Sequence, residues 1–247
     1  MSNALNMADY TNMADYTNMA YYYDLIMTSG YYDYDAIVKN ILSFHQGDNI
    51  LEIGCGTGLI LEKLIKEKKI NKVSGVDLTK AMIDIAEKRL QYFDNVCLFN
   101  QNVVTLSLKD QYDLAFSYGG VWYFVFDDGE VFLVSHIPSD TDNKKGIERL
   151  SKHIKSGGKL LLGIQGPHYD YEKPIYNGMV YSQKIKPTDC GFIKDYYLSD
   201  KNRILMSQTL VYRIYSFDEA NQLLRDYGFE YQPVKIRDNL FMEFNKL

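Results

Sequence analysis

Hydrophobic positions along the chain follow two periods. Short apolar runs at 49–53, 73–77, 96–99, 112–117 and 159–165 have the length and character of buried strands. Helical stripes lie among them. Ile37, Val38, Ile41, Leu42 and Phe44 mark one over 35–44, and Leu61, Leu64 and Ile65 mark another over about 59–68. Thr79 is placed as an N-cap for a third, carrying Met82, Ile83, Ala86 and Leu90. Ile147, Leu150 and Ile154 give a fourth, stopped by Gly157-Gly158 after a long connection over 127–142. Strands alternating with helices predict an α/β fold with a doubly wound sheet. From 179 to 215 the pattern becomes aromatic, β-branched and strand-like, with turns expected at Lys186-Pro187 and Ser199-Asp200. Ser216 and Glu219 form a capping box for a helix running to Tyr227, and two strands near 231–237 and 240–246 end the chain.

Chemistry concentrates at the end of the first strand, in Asn49-Ile50-Leu51-Glu52-Ile53-Gly54-Cys55-Gly56-Thr57-Gly58. Three glycines at alternate positions permit a tight turn that a ligand can approach closely. The turn feeds a helix N-terminus, where free N–H groups face outward. A dinucleotide fingerprint requires a glycine three residues after the second, and Leu59 stands there. Glu52, two residues before Gly54, would repel a pyrophosphate and attract a cation or an amine. Asp77 ends the second strand, where a carboxylate can accept both hydroxyls of a ribose.

The glycine stretch resembles motif I of the class I methyltransferases that use S-adenosylmethionine (SAM), whose pattern is acid-x-Gly-x-Gly-x-Gly. The resemblance implies a Rossmann-like, seven-stranded doubly wound sheet and SAM as cofactor, with S-adenosylhomocysteine as product. It assigns Glu52, Gly54, Cys55, Gly56, Gly58, Asp77, Leu78, Met82, Val103 and Ser117 to the cofactor site. Asn102 stands where relatives usually carry an aspartate that accepts from the adenine amino group. Residues 21–34 resemble the N-terminal cover of small-molecule methyltransferases, with Tyr23 and Tyr34 as cofactor contacts or as packing of an amphipathic helix. Residues 169–215 resemble the lid of such enzymes, including aminosugar N-methyltransferases and natural-product relatives.

Methyl transfer from a sulfonium needs alignment more than it needs a catalytic group. A hydroxyl acceptor benefits from a general base. His168, just beyond the fifth strand, is the first candidate and His136 the second, although a lone histidine is more often structural. His45 and His153 fall at helix ends, where capping is expected. Tyr118, Trp122 and Tyr123 either wall an acceptor pocket or pack in the core.

Composition narrows the field further. A chain of 247 residues with net charge −5 suits one domain and argues against a partner held by a basic surface, such as nucleic acid. No apolar run is long enough to span a membrane, and the N-terminus lacks the features of a signal peptide. Three separated cysteines suggest no disulfide framework and no metal cluster, consistent with a reducing cytoplasm. Ser2-Asn3-Ala4 resembles an expression-tag remnant, and NMADYT at 6–11 recurs at 12–17, so 1–20 is expected to be an extension and 21–247 the domain. The expected function is transfer of methyl to N or O of a small metabolite. The alternatives are a catalytically silent SAM-binding module and, disfavoured by Leu59 and Glu52, a nucleotide-dependent oxidoreductase. The oligomeric state is not legible.

Overall fold

The computed structural model describes residues 16–44, 49–67, 70–201, 203–233 and 239–247. The NMADYT repeat up to Asp15 and His45 lie outside them. The described structure begins at Tyr16, and Met19 and Ala20 of helix α1 (Thr17–Met27) are already buried, so packing starts ahead of the expected boundary at 21.

Helix α2 (Tyr34–Phe44) precedes strand β1 (Asn49–Ile53), which leads through the glycine turn into α3 (Leu59–Ile65). Then come β2 (Lys72–Asp77), α4 (Lys80–Leu90), β3 (Val96–Asn100) and β4 (Tyr112–Ser117). A hairpin of β5 (Trp122–Asp127) and β6 (Glu130–Ser135) precedes α5 (Asp140–Ser151) and β7 (Ile154–Gln165). Four strands follow, β8 (Tyr171–Pro174), β9 (Val180–Thr188), β10 (Gly191–Asp200) and β11 (Arg203–Ser216). Helix α6 (Phe217–Asp226) and strands β12 (Phe229–Gln232) and β13 (Phe241–Lys246) close the chain.

The central sheet runs β3-β2-β1-β4-β7-β13-β12, parallel except for β13. It is covered on both faces, as a parallel sheet must be to bury its strands. Leu51 and Ile53 point to one side, where Ile147 and Leu150 of α5 and Leu223 and Leu224 of α6 meet them. Ile50 points to the other, against Ile37 and Ile41 of α2, Leu61 and Leu64 of α3, and Ile83 of α4. The period-2 pleat of β1 thus feeds two separate cores.

The lid is larger than the sequence pattern suggests. The stretch 127–142 is no loop: Asp128-Gly129, with φ of 47° and 91°, closes the β5–β6 hairpin. Positive φ at both central residues is what a two-residue type I′ loop requires. Strand β6 pairs with β11, and β5 pairs with the end of β7, so the lid continues the central sheet in the order β5-β6-β11-β10-β9-β8. Lys186-Pro187 lies inside β9, and the chain turns at Asp189-Cys190 instead. Proline is tolerated there because β8 pairs only with Val180 to Gln183, leaving that part of β9 with a single neighbour. The helix α5 ends at Ser151, and Ile154 opens β7; Gly157-Gly158 forms an irregularity inside β7, where the register with β4 shifts. Ser139 caps α5, its Oγ accepting from Asp142 N–H at 3.2 Å. The expected capping box of α6 forms, with Ser216 Oγ accepting from Glu219 N–H.

Candidate functional site

The first strand ends in a turn whose backbone is left-handed at Gly54, Gly56 and Gly58, with φ of 76°, 52° and 79°. Only glycine adopts this without strain. A Cβ on Gly54 would stand 2.9 Å from Gly120 Cα, and one on Gly120 would stand 2.5 Å from Ile53 O. The β1 and β4 ends therefore meet backbone to backbone and leave a smooth floor. Gly54 and Cys55 both donate N–H to Val76 O, at 2.8 and 3.0 Å, which ties the turn to β2. Asp77 at the end of β2 accepts from Gly56 N–H at 2.9 Å and from Thr79 N–H at 2.8 Å. Its carboxylate is thereby held at the lip of the cleft.

That cleft lies beyond the carboxyl ends of β1, β2 and β4, the edge at which open α/β sheets bind ligands. Its walls include Tyr23, Gly54, Gly56, Asp77, Leu78 and Met82. Asn102 and Val103 complete it on the β3 side. Asn102 Oδ1 accepts from Val104 N–H at 2.9 Å, so one of its lone pairs already serves the short 3-10 turn that follows.

A side chamber joins the cleft at Tyr23 and Gly54. Glu52, Cys55, Tyr34 and Tyr118 line it. Glu52 is 3% exposed, and its Oε2 has no hydrogen-bond partner. Burial pushes this carboxyl well above the usual range, and the nearby Asp77 carboxylate adds to the effect. Buried polar atoms are normally satisfied, so an orphan oxygen beside a cleft is a site awaiting a donor.

Helix α1 closes the cleft from above. Asp24 Oδ1 accepts from Thr57 Oγ1 at 2.5 Å, and Arg89 of α4 pairs with Asp24. Arg89 also donates from Nε to Thr57 O at 2.8 Å and from Nη1 to Glu62 at 3.0 Å. One guanidinium therefore fixes α1, the glycine turn and α3 together.

On the far side of Tyr23 and His136 a second chamber opens beneath the lid. Eight tyrosines line it, including Tyr16, Tyr123, Tyr196 and Tyr212. Through Tyr31, Tyr32, Gln165 and Lys194 it reaches an outer mouth carrying Tyr118, His168 and Tyr169. His136 lies at the boundary between cleft and chamber, with Nδ1 3.4 Å from Tyr16 Oη and its ring edge-on to Tyr212. His168 packs between Tyr123 and Phe192, and its Nδ1 lacks a partner. Burial lowers both imidazoles to about 3, aided by the Lys194 charge. Both rings are neutral at working pH, and protonating either is costly, which suits hydrogen bonding better than general-base work.

Not every residue read from the sequence reaches a cavity. Gly58 packs against Ala86 and Leu90 of α4. Ser117 is buried under Gly120. Trp122 is a core residue, 1% exposed, donating from Nε1 to Asn143 at 2.7 Å. It belongs to the strand face turned from the chamber, whereas Tyr123, one residue on, faces it. His153 caps no helix end; its Nε2 accepts from Leu108 N–H at 3.3 Å. Most of the chamber lining, Tyr16, Lys194 and Tyr212 among it, is not singled out by the sequence. Tyr16 belongs to the second copy of the repeat, and no local signal marks it. Lys194 alternates with Phe192, Tyr196 and Leu198 on one face of a strand, a pattern that does place it inward.

Fold, glycine turn and lid together define a class I methyltransferase architecture. Residues 50–158 match the methyltransferase domain family model. The malonyl-[acyl-carrier protein] O-methyltransferase of Priestia megaterium is 32% identical over 123 residues, which are 50% of this chain and 39% of that protein. The match thus spans well under two thirds of that relative's length. An S-adenosylmethionine-dependent methyltransferase from Clostridium acetobutylicum superposes with a TM-score of 0.65 at 18% identity, covering 94% of this chain and 98% of its own. CalS10, an amino pentose methyltransferase from Micromonospora echinaspora involved in calicheamicin biosynthesis, gives 0.65 at 15% identity, with all of both chains covered. At these identities the two structures show the fold. Residues 50–158 thus match a methyltransferase domain, and the chain as a whole has the fold of these SAM-dependent enzymes. Among the described residues no helix is long and apolar enough to cross a membrane.

Proposed function

We propose that this protein transfers a methyl group from SAM to a nitrogen or oxygen of a small molecule held under the lid. The observation that carries this reading is the buried, unpartnered Oε2 of Glu52 beside a cleft whose lip holds Asp77. The residues present fit the cofactor. In this reading Asp77 would accept the ribose hydroxyls and Glu52 the α-amino group, whose N–H donors would satisfy the orphan oxygen. Met82, Leu78 and Val103 supply apolar walls for the adenine, and Asn102 keeps one free lone pair on Oδ1 for the adenine amino group. The Gly54–Gly120 contact keeps the floor free of side chains.

SAM supplies an electrophilic methyl on a good, neutral leaving group. The chain's own task is to align the acceptor and exclude water. Helix α1 and the lid do the second, and the tyrosines of the chamber do the first. Tyr23 lines cleft, side chamber and lid chamber alike, which supports a role for it between methyl donor and acceptor. Its hydroxyl is held neutral by burial, so it orients by hydrogen bonding. The enclosed chamber supports a small acceptor. CalS10 is an amino pentose methyltransferase and the Priestia enzyme an O-methyltransferase of malonyl-[acyl-carrier protein], and either nitrogen or oxygen suits the chamber.

The test is incubation with methyl-labelled SAM and a panel of small amines, phenols and carboxylates, read by mass spectrometry. A labelled product is expected and would name the acceptor atom. SAM binding without transfer across the panel would favour a silent binding module.

A further inference from the structure

Lys194 sits in β10 and lines both the tyrosine chamber and its outer mouth, yet it is 3% exposed. Its surroundings are aromatic. The ammonium lies over the rings of Phe192, Tyr196 and Tyr212 at 5.4, 6.0 and 5.4 Å. Ring faces attract a cation but give its three N–H donors no acceptor of the strength of a carboxylate. The neighbouring lid lysines are paired: Lys184 with Asp170 at 3.7 Å and Lys186 with Asp195 at 2.8 Å. Asp195 is the next residue along the strand, and the pleat turns it to the opposite face, where Thr209 Oγ1 also donates to it at 2.7 Å. Lys194 has no carboxylate within ion-pair distance among the described residues.

A buried cation without a counter-ion is expensive to keep, so the pattern demands a reason. The chamber lining provides one. Among the described residues it holds tyrosine hydroxyls, one imidazole, one amide and one ammonium, and neither aspartate nor glutamate. An acceptor bearing an ammonium would find no anion there, Glu172 standing only at the outer mouth, whereas one bearing an anion finds a cation in a chamber lined by tyrosines. Gln165 of the wall bonds to Tyr32 Oη at 3.0 Å, and the free Nδ1 of His168 lies at the mouth on the same route. A single cation matches a single negative charge, which points to a carboxylate and away from a dianionic phosphate.

We propose that Lys194 is the specificity-determining residue of the lid chamber, the counter-ion for a carboxylate carried by the methyl acceptor. This inference rests on the methyltransferase reading for the word acceptor, and on the chamber alone for the carboxylate. Desolvation lowers the ammonium to about 7, so an arriving carboxylate also stabilises its charge.

The test is calorimetric titration of benzoate, benzyl alcohol, benzylamine and phenyl phosphate into the wild-type protein and Lys194→Met, with and without saturating S-adenosylhomocysteine. Lys194→Gln serves as a second variant, and SAM affinity reports the integrity of each. Benzoate is expected to bind the wild type more tightly than the other three. It should bind both variants about tenfold more weakly or worse, as for loss of a charge-assisted pair, while benzyl alcohol changes by less than about twofold. Equal benzoate affinity in wild type and variants, or tighter binding of benzylamine or phenyl phosphate, would overturn the assignment. If SAM fails to bind the wild type while benzoate still depends on Lys194, the methyltransferase reading falls and the carboxylate pairing stands.

Discussion

Thr57 Oγ1 donates a 2.5 Å hydrogen bond to Asp24 Oδ1, joining the N-terminal helix to the glycine turn thirty-three residues away in sequence. Arg89 grips both partners, through the Asp24 carboxylate and the Thr57 carbonyl. Closure of the cleft is thus coupled to the loop that forms its floor. Asp24→Ala removes the shared acceptor and leaves a partly buried guanidinium with Glu62 as its one carboxylate, beside the Thr57 carbonyl. A hydrogen bond to a charged group contributes about 1.5–3 kcal/mol to the closed arrangement, so the thermal midpoint should fall by a few degrees and SAM affinity roughly tenfold or more. Calorimetric titration of SAM checks this, and unchanged affinity would show that α1 plays no part in holding the cofactor.

Gly54 allows no side chain. Alanine there would meet the Gly120 Cα at 2.9 Å and carry a φ of 76°. The left-handed region alone costs an L-residue about 1–2 kcal/mol, before the backbone of β4 is displaced. Gly54→Ala should lower the thermal midpoint by several degrees and abolish the additional rise on adding SAM. A variant that melts lower yet keeps the full SAM-induced shift would place the cofactor elsewhere.

His136 of the chamber and His168 at its mouth set an acid limit. Burial lowers both folded-state values to about 3, against an ordinary value of about 6.5. Between those limits the unfolded chain binds more protons, so their contribution is complete above about pH 6.5 and is lost as pH falls towards 3. Replacing both with Gln should flatten the decline in denaturant midpoint between pH 6.5 and 4. An unchanged slope would mean that the rings are hydrated.

Lys194 acts in the same sense at higher pH. Its folded value is lowered to about 7 from an ordinary value of about 10.4, so the unfolded chain again binds more protons between the two. The penalty of burying this ammonium should therefore fade from pH 7 to 9.5; the buried Cys55 thiol, whose value is raised, acts in the opposite sense from about pH 8.5, so the effect is read as a difference between wild type and variant. Lys194→Met should be more stable than wild type at pH 7 by a few kcal/mol, on the order expected for a shift of about three units, and the margin should shrink by pH 9.5. A constant margin would argue against titration of this group.

The sequence made the cofactor side legible because its chemistry is local. Glu52, three glycines and Asp77 lie within a strand-turn-helix-strand unit, and each side chain's task follows from its place in that unit. The acceptor side is assembled from distant strands. Tyr16, Tyr123, Lys194 and Tyr212 come from four elements, and their convergence is a property of sheet pairing, not of spacing. The Asp128-Gly129 hairpin carried a recognisable turn signal within the stretch read as a loop. Trp122 and Tyr123 show the limit from the other side. Both are aromatic and adjacent, and only the register of β5 against β6 decides which faces the chamber.

Titration of SAM into the wild-type protein and Asp77→Ala by calorimetry tests the central claim most directly. The account predicts one-to-one binding to the wild type, displaced by S-adenosylhomocysteine, and a loss of about tenfold or more in the variant, as for two charge-assisted hydrogen bonds removed. No binding to the wild type, or equal binding to both proteins, would contradict it.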